Sequence, residues 1–336
     1  MDSNENLLSV LTREGVLIKV GISYWRGNKK LRPEDIGLER KALSERLISL
    51  GHKRLLPRDC LQELALIEGR AHALIDYHTF PFLNGLGHFL PNAKVEDVMG
   101  RLEGLEREFW AAKGAFLDRY ASLRESASRE WRVMAENLVK NPDELVETIE
   151  QSFPYPSRME RYYAFNIQCF QIALPEGLAA EMVAAGDQRA VVEARQRAAV
   201  EAQSRIREEV ETFVGDCVAS LREQTAVLCE EMLGSINGSE NGVHQKTLNR
   251  LVRFIDQFKG MNFANDRVME EQLEQVRREL LSRTAGEYRD SATARARLKQ
   301  GLSRLASGAR QLAGQETAGL VQRFGELGRR KFNLAA

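Results

Sequence analysis

The chain has 336 residues and 48 Lys/Arg against 48 Asp/Glu, so its formal net charge is zero. Charged residues make up 29%, the hydrophobic set 43% and aromatics 7%, with only 8 prolines. That composition belongs to long helices with narrow apolar stripes and excludes a β-sandwich or a thick α/β core. No apolar run approaches the ~18–20 residues that cross a bilayer. The acidic, polar start Met1-Asp2-Ser3-Asn4-Glu5-Asn6 lacks the parts of a secretory signal. Cys60, Cys169, Cys217 and Cys229 show neither a C-x-x-C pair nor a zinc spacing, and read as reduced thiols. The expected setting is cytoplasmic, without a membrane span.

From Gly15, the residues Val16, Ile18, Val20, Ile22 and Tyr24 alternate with Leu17, Lys19, Gly21 and Ser23, the period of a strand. A turn-prone basic segment, Trp25-Arg26-Gly27-Asn28-Lys29-Lys30, ends it. The pattern predicts a short helix over 39–50 closed by Gly51, then a short strand at His52–Leu56. Pro57 opens a helix to about Thr79 that is expected to bury Leu61, Leu64, Leu66, Ile67, Ala71, Leu74 and Ile75. Residues 80–91 hold prolines and glycines yet are strongly apolar, and are expected to lie buried against the first strand. Residues 95–140 run without proline, with Val98, Leu102, Leu105, Phe109, Trp110, Phe116, Tyr120 and Leu123 in a helical pattern. Asn141-Pro142 caps a further helix.

Residues 164–174 read as a strand, bulged near Cys169, that pairs with the first one. Helical text then fills 187–236, with Ile206, Val210, Phe213, Cys217, Leu221, Gln224, Leu228 and Met232 as its seam. The turn Asn237-Gly238-Ser239-Glu240-Asn241-Gly242 and two further stripes, 243–259 and 266–283, make a helical hairpin. Residues 277–336 carry 13 Lys/Arg against 5 Asp/Glu, a net of +8, leaving the rest at −8. Glycines recur there at 301, 308, 314, 319, 325 and 328. Each costs a helix interior up to about 1 kcal/mol, so this tail is either a weak, partner-stabilised helix or partly disordered.

The predicted fold is mostly α: a long helical hairpin or coiled-coil bundle with a small α+β N-terminal module holding a few-stranded antiparallel sheet. The expected blocks are a head at 1–175 with the long helix 95–140, a hairpin at 187–283, and a basic, Gly-rich tail at 284–336.

Little of the sequence carries chemistry. Gly234, Gly238 and Gly242 before Lys246-Thr247 do not meet the phosphate-loop spacing, and a helix rather than a strand precedes them. His72 and Asp76, one helical turn apart with His78 nearby, make half a metal site at most. No catalytic residue, metal or cofactor is expected. The candidate binding residues are Trp25, Arg26, Lys29, Lys30, Lys53 and Arg54, with Tyr24 and Arg32 beside them and strand pairing drawing Lys53-Arg54 close. Such a surface suits a stacked base with phosphates, or an acidic partner. It equally suits a charged hairpin end with Trp25 packed beneath. The tail triplet Arg329-Arg330-Lys331 suits nucleic acid, a membrane surface or the chain's own acidic part.

Three ordered segments carry a resemblance. Ile22-Ser23-Tyr24-Trp25-Arg26-Gly27-Asn28-Lys29-Lys30-Leu31-Arg32-Pro33-Glu34-Asp35, Ser49-Leu50-Gly51-His52-Lys53-Arg54-Leu55-Leu56-Pro57, and Phe82-Leu83-Asn84-Gly85 with Leu90-Pro91-Asn92 are similar to the bacterial family catalogued as domain of unknown function 3150. The similarity is strongest over about 15–175 and brings no residue-level roles. It implies a phage or mobile-element context beside a MoxR- or CobS-like AAA+ ATPase and a von Willebrand A-domain protein. The function expected is a non-enzymatic helical scaffold or adaptor of such a system, a homo-oligomer through its 187–283 hairpin. The alternative is a DNA- or RNA-binding accessory protein using the tail and the Trp25 turn.

Overall fold

In a computed structural model the chain is mostly α, with long helices and a small antiparallel sheet near its N-terminus. The structure describes residues 5–38, 48–171, 189–238 and 242–315, with 317, 319–321 and 324. Ten helices are labelled here: α1 Glu5–Glu14, α2 Gln62–His78, α3 Asn92–Leu138, α4 Pro142–Ser152, α5 Pro156–Met159, α6 Arg189–Gly238, α7 Gln245–Met261, α8 Arg267–Leu280, α9 Ala285–Asp290 and α10 Ala292–Ala313. The strands are β1 Gly15–Ser23, β2 Asn28–Lys30, β3 His52–Arg54, β4 Phe80–Phe82, β5 Gly87–Pro91 and β6 Ala164–Phe170. One sheet has the order β4-β5-β1-β6, and β2 pairs with β3 in a second. The apolar 80–91 segment therefore forms two strands of the first sheet, and β6 is the other neighbour of β1. The helix expected over 39–50 falls mainly outside the described residues, while Gly51 has the left-handed φ of 74°. No helix among the described residues is long and apolar enough to cross a membrane.

Two compact units interleave along the chain, where the sequence suggested consecutive blocks. One comprises Met1–Ile18, His78–Glu96 and Cys169–Ala336; the other comprises Lys19–Tyr77 and Asp97–Gln168.

In the first unit, β5 pairs antiparallel with β1 (Val16 with Leu90, Ile18 with His88) and with β4 (Phe80 with Phe89). A glycine is required at position 15, where a Cβ would lie 2.5 Å from the Leu90 carbonyl oxygen and from the Phe89 ring. Phe82 and Phe89 meet Phe213 of α6 edge to face at 4.7 and 5.7 Å, and Phe89 meets Phe263 at 4.7 Å. Leu7, Leu8, Val10 and Leu11 of α1 join the same core. The apolar seam of α6 runs through Val210, Val214, Cys217, Leu221, Leu228, Met232 and Ile236. At its centre the buried residue is Thr225 and not Gln224, which is exposed. A straight helix drifts from a strict heptad, and Thr225 satisfies its hydroxyl on the Leu221 carbonyl at 2.8 Å.

The main partner of α6 is α10, within the segment expected to be weakly helical. Ala294, Leu298, Leu302, Leu305, Ala306 and Ala309 form its buried stripe. Small residues let α10 approach closely. A Cβ on Gly301 would sit 2.3 Å from a Leu280 methyl of α8. The glycine cost is offset by burial. Ser291 caps α10, and Thr284 with Glu287 forms a capping box for α9. The long apolar face of α6 is thus covered from within its own chain.

Charge joins these helices too. Arg222 is 5% exposed and donates from Nε to Asp266 at 2.6 Å and from Nη1 to the Leu312 carbonyl at 2.7 Å. Asp266 is also the N-cap of α8, accepting from the Met269 amide. Arg310 grips Glu223 and Glu230. At this residue the basic C-terminal segment meets the acidic remainder.

In the second unit, α3 buries Val98, Leu102, Leu105, Phe109, Ala112, Phe116 and Tyr120 at spacings of four and three. Its 47 residues extend about 70 Å at 1.5 Å each. The same unit buries Leu64, Ile67 and Leu74 of α2 and Val146 and Ile149 of α4, whereas Leu66 and Trp110, expected on the apolar faces of α2 and α3, stand outward at 58% and 39% exposure because they fall off the 3.6-residue phase of their neighbours.

Candidate functional site

The turn after β1 was the sequence's main candidate, and its residues have separate fates. Gly27, with φ of 63°, turns the chain between β1 and β2, and β2 lies antiparallel to β3, with Lys29 opposite Lys53 and Asn28 opposite Arg54. Strand pairing does bring the two basic pairs together. Alternation then divides them: Lys53 points inward and Arg54 and His52 outward. Lys53 is buried and donates to Asp35 at 2.6 Å, while Asp35 also accepts from the Arg32 amide at 2.8 Å. Lys53 is therefore a structural cation holding the β2–β3 ribbon to the 33–36 turn.

Trp25 is 5% exposed and stacks at 5.7–6.2 Å among Phe116, Tyr120 and Phe153. It presents no face on which a base could lie. Arg26 turns to α2, bonding both oxygens of Glu68 at 2.6 and 2.7 Å, with its guanidinium 3.9 Å from the Tyr24 ring centre. The hydrogen bond from Arg26 holds the Glu68 carboxyl below its usual range, against the opposing effect of burial. Burial pushes the Tyr24 phenol up despite the neighbouring arginine. The triplet Arg329-Arg330-Lys331 lies outside the described residues.

Lys29, Lys30 and Arg54 remain exposed on the ribbon. The structure adds residues that the sequence reading passed over. The stretch Tyr155-Pro-Ser-Arg-Met-Glu-Arg-Tyr-Tyr163 forms α5 and a 3-10 turn at Glu160–Tyr162. Met159 and Tyr163 point into the unit's interior, and Tyr155 is 69% exposed. Arg161 donates from Nη2 to the Tyr162 hydroxyl at 3.1 Å, and its guanidinium carbon lies 5.1 Å from that ring's centre. That hydrogen bond, together with the charges of Arg161, Lys29 and Arg158, draws the Tyr162 phenol below its ordinary range. The clustering of Tyr155, Arg158, Arg161, Tyr162 and Tyr163 was the available signal.

A second feature of this unit is a groove of about 340 Å³ lined by Leu55, Leu56, Pro57, Ala127, Trp131 and Met134. Trp131 closes one side by donating from Nε1 to the Arg54 carbonyl at 3.0 Å. Beyond it the last turns of α3 hold Val133, Met134 and Leu138 outward at 64%, 42% and 42% exposure.

Among the described residues no group of three or more His, Cys, Asp or Glu side chains is placed to hold a metal ion. No curated protein and no solved structure matches the chain. A family model does match, over residues 12–294, which takes in the turn after β1, the 155–163 stretch and the outer end of α3. The chain belongs to the family described as Protein of unknown function (DUF3150).

Proposed function

We propose that this protein is a non-enzymatic helical scaffold that works by contact, as an adaptor for a MoxR- or CobS-like AAA+ ATPase and a von Willebrand A-domain protein. The partner classes come from the context that the family resemblance implies. The observation that carries the contact reading is the outer end of α3. Trp131, Met134 and Leu138 follow the i, i+3, i+7 spacing of one helical face, beside an open groove. Large apolar side chains grouped on a surface mark sites where another chain sits. Long rigid helices hold such a face at a fixed place, as an adaptor requires.

The test is affinity capture from the native host with the tagged full chain, alongside the double variant Met134→Glu/Leu138→Glu. Both positions are exposed, so the fold should survive. Recovery of the ATPase and the von Willebrand A protein by the wild-type chain, with loss in the variant, supports the proposal. Recovery of neither partner refutes it.

A further inference from the structure

We propose that the trough between α8 and α10 receives an acidic, amphipathic α-helix of a partner protein, two of whose carboxylates, seven residues apart, meet Arg297 and Arg304. The trough belongs to a different unit from the outer end of α3, so this docking site does not rest on the adaptor reading.

Two antiparallel helices build the trough. Gly301 lies against Leu280 and Gly308 against Gln272, so α10 runs back along α8. The open space measures about 590 Å³, the size of a ligand cleft and far above the voids left between well-packed helices. Its α8 wall carries Gln272, Gln275 and Glu279, and its α10 wall carries Arg297, Gln300 and Arg304. Each set follows the i, i+3, i+7 spacing of one helical face. Val276, Leu280 and Leu305 lie between the walls and make an apolar floor with the two glycines.

Arg297 and Arg304 are exposed, and neither has a hydrogen-bond or ion-pair partner among the described residues. Other cations of this unit are matched across helices: Arg310 grips Glu223 and Glu230, Lys259 takes Glu274, and Arg277 takes Asp256. Facing the two arginines, α8 instead offers the amides of Gln272 and Gln275. Its one carboxylate in the trough, Glu279, accepts from Gln275 at 2.9 Å. Two guanidiniums against one carboxylate, over an apolar floor, complement an occupant that is both acidic and amphipathic. Spacing then selects its conformation. Seven residues of α10 rise about 10.5 Å. Carboxylates at i and i+7 of a second helix stand the same distance apart on one face, with an apolar residue at i+3 or i+4 above Leu280. Same-face positions of an extended strand recur every ~6.8 Å, so a strand that meets one arginine misses the other. A nucleic-acid strand would carry phosphates past Glu279 and bring no aliphatic side chain to the floor.

The probe is a fluorescein-labelled, hydrocarbon-stapled alanine-based helix of about 18 residues, with two glutamates seven residues apart and a leucine four residues after the first. The staple removes the cost of ordering the helix. Anisotropy with the full chain at about 50 mM salt should show saturable binding below about 1 mM. Each exposed Arg–carboxylate pair contributes up to about fivefold, so Arg297→Ala/Arg304→Ala should weaken binding roughly tenfold. Gln275→Glu, which sets a second carboxylate on the wall facing the arginines, should weaken it about threefold or more. All three positions are exposed, so the helical circular dichroism should match wild type. Arg253→Ala, on the exposed face of α7, should stay within twofold. A probe with its glutamates five residues apart, on different faces, should bind about fivefold more weakly. The proposal is overturned by no saturation below 1 mM, by binding that the variants leave unchanged, or by equal binding of the five-residue spacing. It is also overturned by an oligothymidylate strand that competes as well as the probe. Light scattering that shows a dimer dissociated by the double arginine variant would overturn it too, by seating a second copy of this chain in the trough.

Discussion

Replacing Arg222 by methionine removes the cation from a pair in which both partners are almost fully buried, Arg222 at 5% and Asp266 at 2% exposure. Methionine keeps much of the stem's volume, so the loss is chiefly electrostatic. Asp266 would be left as a buried charge without its 2.6 Å partner, and the Leu312 carbonyl without its 2.7 Å donor. Stranding one half of such a pair typically costs about 3–5 kcal/mol. Asp266→Ser keeps an oxygen to cap the Met269 amide and strands Arg222 instead, with a cost in the same range. The double variant Arg222→Met/Asp266→Ser has neither stranded charge. It should be less destabilised than the two single losses added together, by about 2–3 kcal/mol of coupling. Urea unfolding of the four proteins, followed by circular dichroism, measures the cycle. Single losses below about 1 kcal/mol, or additivity within about 0.5 kcal/mol, would refute the view that this pair locks α6 to the start of α8.

Trp25→Ala should destabilise the unit that contains it by about 3–5 kcal/mol, since the indole is buried among three aromatic rings; a denaturation midpoint close to wild type would contradict that packing role. Two glycines of β1 should behave oppositely. Gly15→Ala meets backbone and ring atoms at 2.5 Å and should cost about 1–3 kcal/mol, whereas Gly21→Ala meets nothing within 4 Å and should gain about 0.5 kcal/mol; thermal melts of the pair read the difference. Burial raises the Tyr120 phenol from its ordinary 10.0 to about 12, and raises Tyr163 further. An unfolded chain ionises these groups near pH 10 while the folded one does not. Their contribution is therefore complete below pH 10 and is lost as pH climbs through about 12, which ultraviolet phenolate titration alongside circular dichroism will follow. Burial likewise raises the Cys217 thiol well above its usual range and the Cys229 thiol to about 12, so with a thiol reagent at pH 8 the exposed Cys169 should react first and these two only after denaturation.

The aromatic-basic surface shows where local reading of a sequence stops. Lys29 and Lys53 stand opposite each other in register, as pairing of the two basic segments predicts. Which of them faces water depends on the side to which the ribbon packs, and Asp35, 18 residues away from Lys53, decides it. Trp25 has the same chemistry in any turn. It is interior here because Phe116, Tyr120 and Phe153 converge on it from distant parts of the chain.

Periodicity alone determined the strand at 15–23, the long helices α3 and α6, and the mostly α architecture. Side-chain alternation and helical phase are local properties, written every two or every 3.6 residues. The choice of partners belonged to the tertiary structure. Glycines at 301 and 308 lower helix propensity when counted one by one. Yet α10 is a full helix along α6, because the buried Leu298, Leu302 and Leu305 outweigh the local cost, while the two glycines face Leu280 and Gln272 of α8, where a Cβ would crowd the neighbouring helix. Burial of a stripe depends on what lies across from it, and that information sits elsewhere in the chain.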